Sequence, residues 1–475
     1  MKKSSVCSLV NISSFFVYIL FSSSSNASCD CGSVDINQPC TGVSISTVVA
    51  ATSVNGDQSR DARFEWRFNS GGNDAYCGQF ANGDYWIAPK SGADIQITQL
   101  SGNSDVSLDI NPQLRSMSLL DGSNNYGNYS VERSSASALP VSFNSAVSLV
   151  AAAKRDEQVS GDCGTKSIVG ECVDAYQIVT VLETLPEKLG SYSLRPNITR
   201  ANKVVLSLDE FDFESFPSLS LLNGTNGSGL EAIRQRWSHS TEIFGLVYAP
   251  NKAFSEGGRA FRSHILIDDY AAGVARQWAD DLMVLFSSDH SLTDKQPALS
   301  AMLTYGQDII TAIYNESGNQ LSYWGSGAGQ HMGRFPPAAL FAALKVNSDY
   351  RDLLQKVALN MSDIDGTGPH ELDQVNLGVN TPVWGDYAMG ERGYWSNLFD
   401  SQCYEGAAGT CNPLLGKKTI KDPYGFIDGP ANKPGTSYLE VTIGPMRSMV
   451  ASLSLFPKMC RVVNYSPLTE YVDRV

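Results

Sequence analysis

"IDDYAAGVARQWADDLMVLF", residues 267–286, is the stretch on which the reading of the fold turns. Ile267, Tyr270, Ala271, Val274, Trp278, Leu282 and Leu285 recur at the spacing of one apolar helix face. The same period continues in Leu299, Met302, Leu303, Ile309, Ile310 and Ile313, with Pro297 at a tolerated helix start and Gly318 at a favoured helix end. Further helices are predicted over 337–346, over 350–359 and, after Pro445, along Met446, Met449, Val450, Leu453 and Phe456. The loops between them are long and rich in glycine and aromatics, unlike the short connections of a bundle. An incomplete ring of helical hairpins, with its loops gathered at one end as a groove, fits that pattern.

Upstream of about residue 206 the period is that of strands. Ser44–Ala51, Ala62–Phe68, Tyr85–Ala88, Ala93–Thr98, Val141–Ala152 and Tyr176–Leu182 are separated by clusters of Gly, Asn, Ser and Asp. Many short strands with turn chemistry between them predict an antiparallel β-sandwich. The chain is therefore read as multi-domain, β then α: a signal peptide over 1–27, a β-sandwich domain over 28–206, a polar linker over 207–228 and the helical ring over 229–475.

Composition sets the outer bounds. A 475-residue chain with 42% hydrophobic and 10% aromatic residues is globular and long enough for more than one core. Lys2 and Lys3, the apolar run around Phe15–Phe21 and the small residues ending at Ala27 read as an export signal, so a secreted protein is expected. A lipid anchor through Cys29 is the alternative, but Ser25 to Ser28 lack the leucine such sites carry. No later stretch is long and apolar enough to predict a membrane span. A net charge of −14 argues against nucleic acid as a partner. Nine of the ten cysteines follow Ala27, as suits an oxidising compartment. Spacing suggests Cys163 with Cys172, Cys403 with Cys411, and Cys29 or Cys31 with Cys40, and no spacing resembles a zinc knuckle.

Five blocks carry a family resemblance: "GQFANGDYWIAP" (78–89), "LETLPEKLGSYSLRP" (182–196), "IDDYAAGVAR" (267–276), "GQHMGRFPPAALFAAL" (329–344) and "DPYGFIDG" (422–429). They resemble blocks of large secreted bacterial proteins of poorly defined activity, similar in their helical part to the (α/α) toroid of polysaccharide lyases and six-hairpin glycosidases. The resemblance implies that toroid fold for the helical half and a polysaccharide as the partner. The family's loop reads Gly-His-x-x-Gly-Arg-Lys. Here Gln330 precedes His331 and Phe335 stands in place of the Lys, one cation fewer for an anionic substrate. "NGDYW", 82–86, reads as a turn leading into an aromatic strand, and packing against the helical domain would produce its likeness to the family.

Two clusters offer the chemistry. In "YWGSGAGQHMGRFPP", 323–337, glycines let the backbone approach a ligand, and His331, Arg334, Tyr323 and Trp324 precede a helix predicted to start at Pro336 and Pro337. In "WGDYAMGERGYW", 384–395, stand Trp384, Asp386, Tyr387, Glu391, Arg392 and Tyr394. β-Elimination from a uronate needs a carboxylate neutraliser, a base and a proton donor. His331 would be base or neutraliser, Tyr394 or Tyr387 would exchange protons, and Arg334 and Arg392 would anchor substrate. Tyr323, Trp324, Trp384 and His370 would line the groove. Hydrolysis instead needs two carboxylates, for which Glu391, Asp386, Glu371 and Asp268 are available. Both inventories are met, and a plainer role for each residue, in loop packing or a helix-terminal charge, stands beside them; a non-catalytic glycan-binding or surface protein is the remaining alternative to lyase and hydrolase.

"DIDGTGPHELD", 363–373, has the look of a calcium loop, but its Glu comes too early for the twelve-residue form. No cofactor is otherwise implied. No Gly-x-Ser-x-Gly, His-Glu-x-x-His or phosphate loop occurs in the chain.

Overall fold

The computed structural model describes residues 28–31, 40–49, 61–70, 75–90, 92–102, 106–111, 139–154, 173–186, 190–198, 202–220, 229–238, 271–313, 330–346, 350–352, 354, 444–463, 469 and 472. Within them β structure occupies the N-terminal part and helices follow.

The strands are β1 (Ser28–Asp30), β2 (Gly42–Val49), β3 (Ala62–Asn69), β4 (Ala75–Gln79), β5 (Tyr85–Pro89), β6 (Ile95–Gly102), β7 (Val106–Ile110), β8 (Val141–Phe143), β9 (Val147–Lys154) and β10 (Val173–Val181). They form two five-stranded sheets, ordered β1-β2-β3-β6-β8 and β4-β5-β10-β9-β7, and a separate two-stranded antiparallel ribbon pairs Ser193–Leu194 with Leu206–Ser207. β3 shows why the sequence folds this way: Ala62, Phe64, Trp66 and Phe68 point inward while Arg63, Glu65, Arg67 and Asn69 alternate outward. The inward residues share one core with Ile87, Leu149, Ala151 and Val179 of the other sheet. Trp66 Nε1 donates to Gln177 Oε1 at 2.7 Å, a buried bond that joins the two sheets and satisfies the indole N–H.

Two details depart from the expected strands. The sheets are mixed rather than antiparallel throughout, because β1 pairs with β2 and β5 with β10 in parallel. The predicted strand over 141–152 is two strands in different sheets: β8 adds to the edge of the first and β9 lies inside the second. Asn144, Ser145 and Ala146 separate them and let the chain cross.

Cys29 is bonded to Cys40, one of the expected pairings, and Cys31 is bonded to Cys77. Cys163, Cys172, Cys403 and Cys411 lie outside the described residues.

The helices are α1 (Leu230–Ser238), α2 (Ala271–Phe286), α3 (Leu292–Ile313), α4 (Gln330–Leu344), α5 (Gly444–Leu455) and α6 (Pro457–Val463). α3 begins upstream of Pro297 because Ser291 caps it. The Ser291 hydroxyl accepts the Asp294 N–H at 3.2 Å, and the Asp294 carboxylate accepts the Ser291 N–H at 3.2 Å. α4 likewise begins at Gln330, so Pro336 and Pro337 lie inside it rather than at its start. From Phe335 to Leu344 every residue of α4 is buried, in one core with Trp237, Trp278, Leu282, Leu299, Met302 and Met449. α3 and α4 approach so closely at Gly306 that a Cβ there would collide with the Pro337 carbonyl oxygen.

The polar stretch expected as a linker is, over 206–220, a strap lying across this helical core. Leu208, Phe211 and Phe216 are buried, and the Phe216 ring sits 5.3 Å from Phe286 and 5.8 Å from Phe456. The strap also satisfies helix ends, whose last carbonyls lack intrahelical donors. Asp212 N–H donates to Leu344 O at 2.8 Å, and Leu219 N–H to Phe286 O at 2.7 Å. Ion pairs of 2.7 Å hold its rim, Glu210 to Lys345 and Asp212 to Lys458. Among the described residues no helix is long and apolar enough to cross a membrane.

Candidate functional site

The polar centre of the described structure is where the β4–β5 turn meets the helices. Asn82, Gly83 and Asp84 form that turn. The Asp84 N–H donates to Asn82 Oδ1 at 3.3 Å, and the Asn82 amide donates to Asp84 Oδ2 at 2.7 Å. Gly83 takes φ +96°, and a Cβ there would lie 2.5 Å from Arg234 Nη1 of α1, so only glycine suits the position. The Asn82 carbonyl accepts from the Ser238 hydroxyl and, at 3.5 Å, from Arg234 Nη1. The "NGDYW" stretch thus packs against the helical part.

Behind the turn lies Arg195, 1% exposed. Its Nε donates to Asp84 Oδ2 at 2.6 Å, its Nη2 to Asp308 Oδ2 at 2.5 Å, and its Nη1 to Asp308 Oδ1 at 3.2 Å and Pro196 O at 2.8 Å. One guanidinium therefore joins the β turn, the 193–198 segment and α3. Burial opposes the charge on Arg195, but the Asp308 and Asp84 carboxylates outweigh it and hold the guanidinium above its ordinary value. Burial raises Asp308, against the pull of Arg195. All three nitrogens of Arg195 are engaged inside the protein, so this is a clamp, not a ligand-binding arginine. A second buried group ties α1 to α2: Asp281 Oδ2 accepts from Arg236 Nη1 at 2.5 Å and from Trp237 Nε1 at 2.8 Å. Burial raises Asp281 against those partners.

Beside the clamp opens a cleft of about 370 Å³, walled by the 182–186 and 202–210 segments. Glu183, Thr184, Ser193, Asn202, Lys203 and Ser207 give it a polar lining, and Leu185 and Val205 add apolar surface. Lys203 is half-buried there. Its Nζ donates to Asn197 O at 2.9 Å and Ile198 O at 3.0 Å. Burial, then repulsion from Arg195, pushes the amine down to about 7 against the attraction of Asp308. Near neutral pH a substantial fraction of Lys203 is therefore uncharged, with a nucleophilic lone pair. Glu210 at the cleft edge is occupied by Lys345 and by the Ser207 N–H, which it accepts at 2.8 Å.

The sequence-selected residues fall as follows. His331 is the second residue of α4 and Arg334 the fifth, about one helical turn further on, so both lie within the helix rather than on a loop ahead of it. Tyr323, Trp324, His370, Glu371, Trp384, Asp386, Tyr387, Glu391, Arg392 and Tyr394 lie outside the described residues, as do Asp268, Asp269 and the 363–373 loop. Among the described residues no group of three or more His, Cys, Asp or Glu side chains could hold a metal ion.

Arg195, Asp308 and Lys203 escaped the sequence reading. Asp308 carried a usable signal: a carboxylate beside Ile309 and Ile310, within two turns of Met302 and Leu303, is affordable only with a buried partner. Arg195 stands inside the quoted 182–196 block without any mark of its partner. Comparison with known proteins gave no match to any family model, curated protein or solved structure.

Proposed function

We propose that this chain is a secreted carbohydrate-active protein, a polysaccharide lyase that cleaves a uronate-containing glycan by β-elimination, built as a β-sandwich followed by an (α/α) toroid. The observation that carries the reading is the position of His331 and Arg334, one turn apart at the start of α4. Residues i and i+3 share a helix face, and the N-terminal turn of a helix favours anions such as a uronate carboxylate. The buried run from Phe335 to Leu344 anchors that turn to the core. Pre-positioning of this kind is what catalysis on a carboxylate-bearing sugar requires. In this scheme His331 is base or carboxylate neutraliser, Arg334 and Arg392 anchor substrate, and Tyr394 or Tyr387 transfers the proton. Tyr323, Trp324, Trp384 and His370 line the groove.

The test is incubation of the mature protein with acidic and neutral polysaccharides, following ultraviolet absorbance of unsaturated uronate beside reducing ends. A joint rise on a uronate polymer, lost about 100-fold or more in His331→Ala, is expected for a general base. Reducing ends without absorbance would replace elimination by hydrolysis, with Glu391 and a second carboxylate. Full activity in His331→Ala would remove that residue from the mechanism.

A further inference from the structure

We propose that the cleft between the 182–186 and 202–210 segments is a binding site for small hydroxylated aldehydes or ketones, in which the Lys203 amine forms an imine with the ligand's carbonyl carbon. The geometry of the amine is the first support. Nζ donates to two main-chain carbonyls, Asn197 O at 2.9 Å and Ile198 O at 3.0 Å. An uncharged amine has two N–H bonds, and those two acceptors use both. Loss of the third proton breaks neither hydrogen bond and leaves the lone pair directed away from the carbonyls. The second support is access: Lys203 is itself part of the lining of the 370 Å³ cleft.

The charges around the amine favour the same form. Arg195, locked in its clamp, repels an ammonium at Lys203, while Asp308 attracts it less strongly. Glu183 and Glu210 line the cleft, but Glu210 is already paired with Lys345 at 2.7 Å. The lining also selects the ligand class. Thr184, Ser193 and Ser207 hydroxyls and the Asn202 amide match a hydroxylated compound, with Leu185 and Val205 against its carbon skeleton. Acyl transfer would need donors prepared for an oxyanion, whereas imine formation needs a free amine and protons from solvent for the departing oxygen.

The step balances without a redox partner. The nitrogen lone pair forms the C–N bond as the carbonyl π pair moves to oxygen, which takes a proton. The carbinolamine oxygen then takes a second proton and leaves as water while the nitrogen lone pair forms the C=N bond, and the two protons the amine carried pass to solvent. The inference stands apart from the glycan reading, since neither His331 nor any residue of the 384–395 cluster takes part.

The experiment uses the intact chain with glycolaldehyde and sodium cyanoborohydride, which donates hydride to the imine carbon and fixes it as a secondary amine. Peptide mass spectrometry then compares labelling of Lys203 with that of the exposed Lys90. An amine near 7 has about 10³ times the uncharged fraction of an ordinary lysine at neutral pH. Reduced nucleophilicity, with a Brønsted slope near 0.4–0.5 as for thiols, leaves a rate advantage of about 30-fold. The expected results are that advantage at pH 7, its disappearance in urea, and a Lys203 rate that levels off above about pH 8. A Lys203 rate equal to or below that of Lys90, or an advantage that survives in urea, would overturn the proposal. Labelling by propanal as selective as that by glycolaldehyde would overturn the hydroxylated class.

Discussion

Replacing Arg195 by Met tests whether one buried guanidinium holds the β turn to the helices. The wild-type side chain makes four hydrogen bonds, three of them to carboxylate oxygens of Asp84 and Asp308. Met fills much of the same volume, so the loss is mainly electrostatic: two buried carboxylates would face each other with no cation between them. Breaking a buried ion pair from one side typically costs ~3–5 kcal/mol, and that is the expected loss at pH 7–8 in urea unfolding followed by circular dichroism and tryptophan fluorescence. The loss should also depend on pH in a definite sense. Without Arg195, the carboxylate whose native pKa already lies above its unfolded value is raised further, so the folded protein binds a proton that the unfolded chain has released. Stability of Arg195→Met should therefore fall as pH rises through that raised value, and the defect should be smaller at pH 5 than at pH 8. Arg195→Lys, which keeps the charge but not the fork, should fall between wild type and Met. A loss below about 1 kcal/mol that is the same at both pH values would refute the clamp.

Three further outcomes are expected. Gly306→Ala should destabilise by ~1–3 kcal/mol despite the better helix propensity of alanine, because its Cβ meets a main-chain oxygen of Pro337 that cannot swing aside; thermal unfolding would show it, and a gain in stability would mean the two helices are further apart. Lys203 has a folded pKa below its unfolded one, so the unfolded chain holds the extra proton between about pH 7 and 10 and stability should rise across that window; Lys203→Met should flatten the rise, as denaturation at several pH values would reveal. Non-reducing peptide mapping should recover Cys29 linked to Cys40 and Cys31 linked to Cys77.

The order β then α was legible because period two and period 3.6 survive in a single sequence: β3 alternates residue by residue, and Trp278, Leu282 and Leu285 all come to rest in the helical core. What was hidden was pairing between distant residues. Nothing near Cys31 names Cys77 as its partner, and nothing in the 141–152 run says that its two ends join different sheets. Helix starts were displaced for a local reason, since prolines marked them too strongly while the Ser291–Asp294 cap, which sets the start of α3, was passed over. Of the candidate site, the sequence offered His331 and Arg334 as neighbours, and α4 keeps them one turn apart. The Lys203 amine was not legible, because its character comes from a buried arginine and two carbonyls rather than from its own neighbours in the chain.

The strap over 206–220 changes where the protein can be cut. A recombinant fragment opened at residue 229 would carry α1 to α6 but lose Phe211 and Phe216, leaving the rings of Phe286, Phe341 and Phe456 without their covering partners. The severed piece would also take with it the acceptors of Lys345 and Lys458 and the donors to two helix ends. For dissection or transplantation, the helical half begins ahead of Leu206, inside sequence that by composition alone would be discarded as a tether.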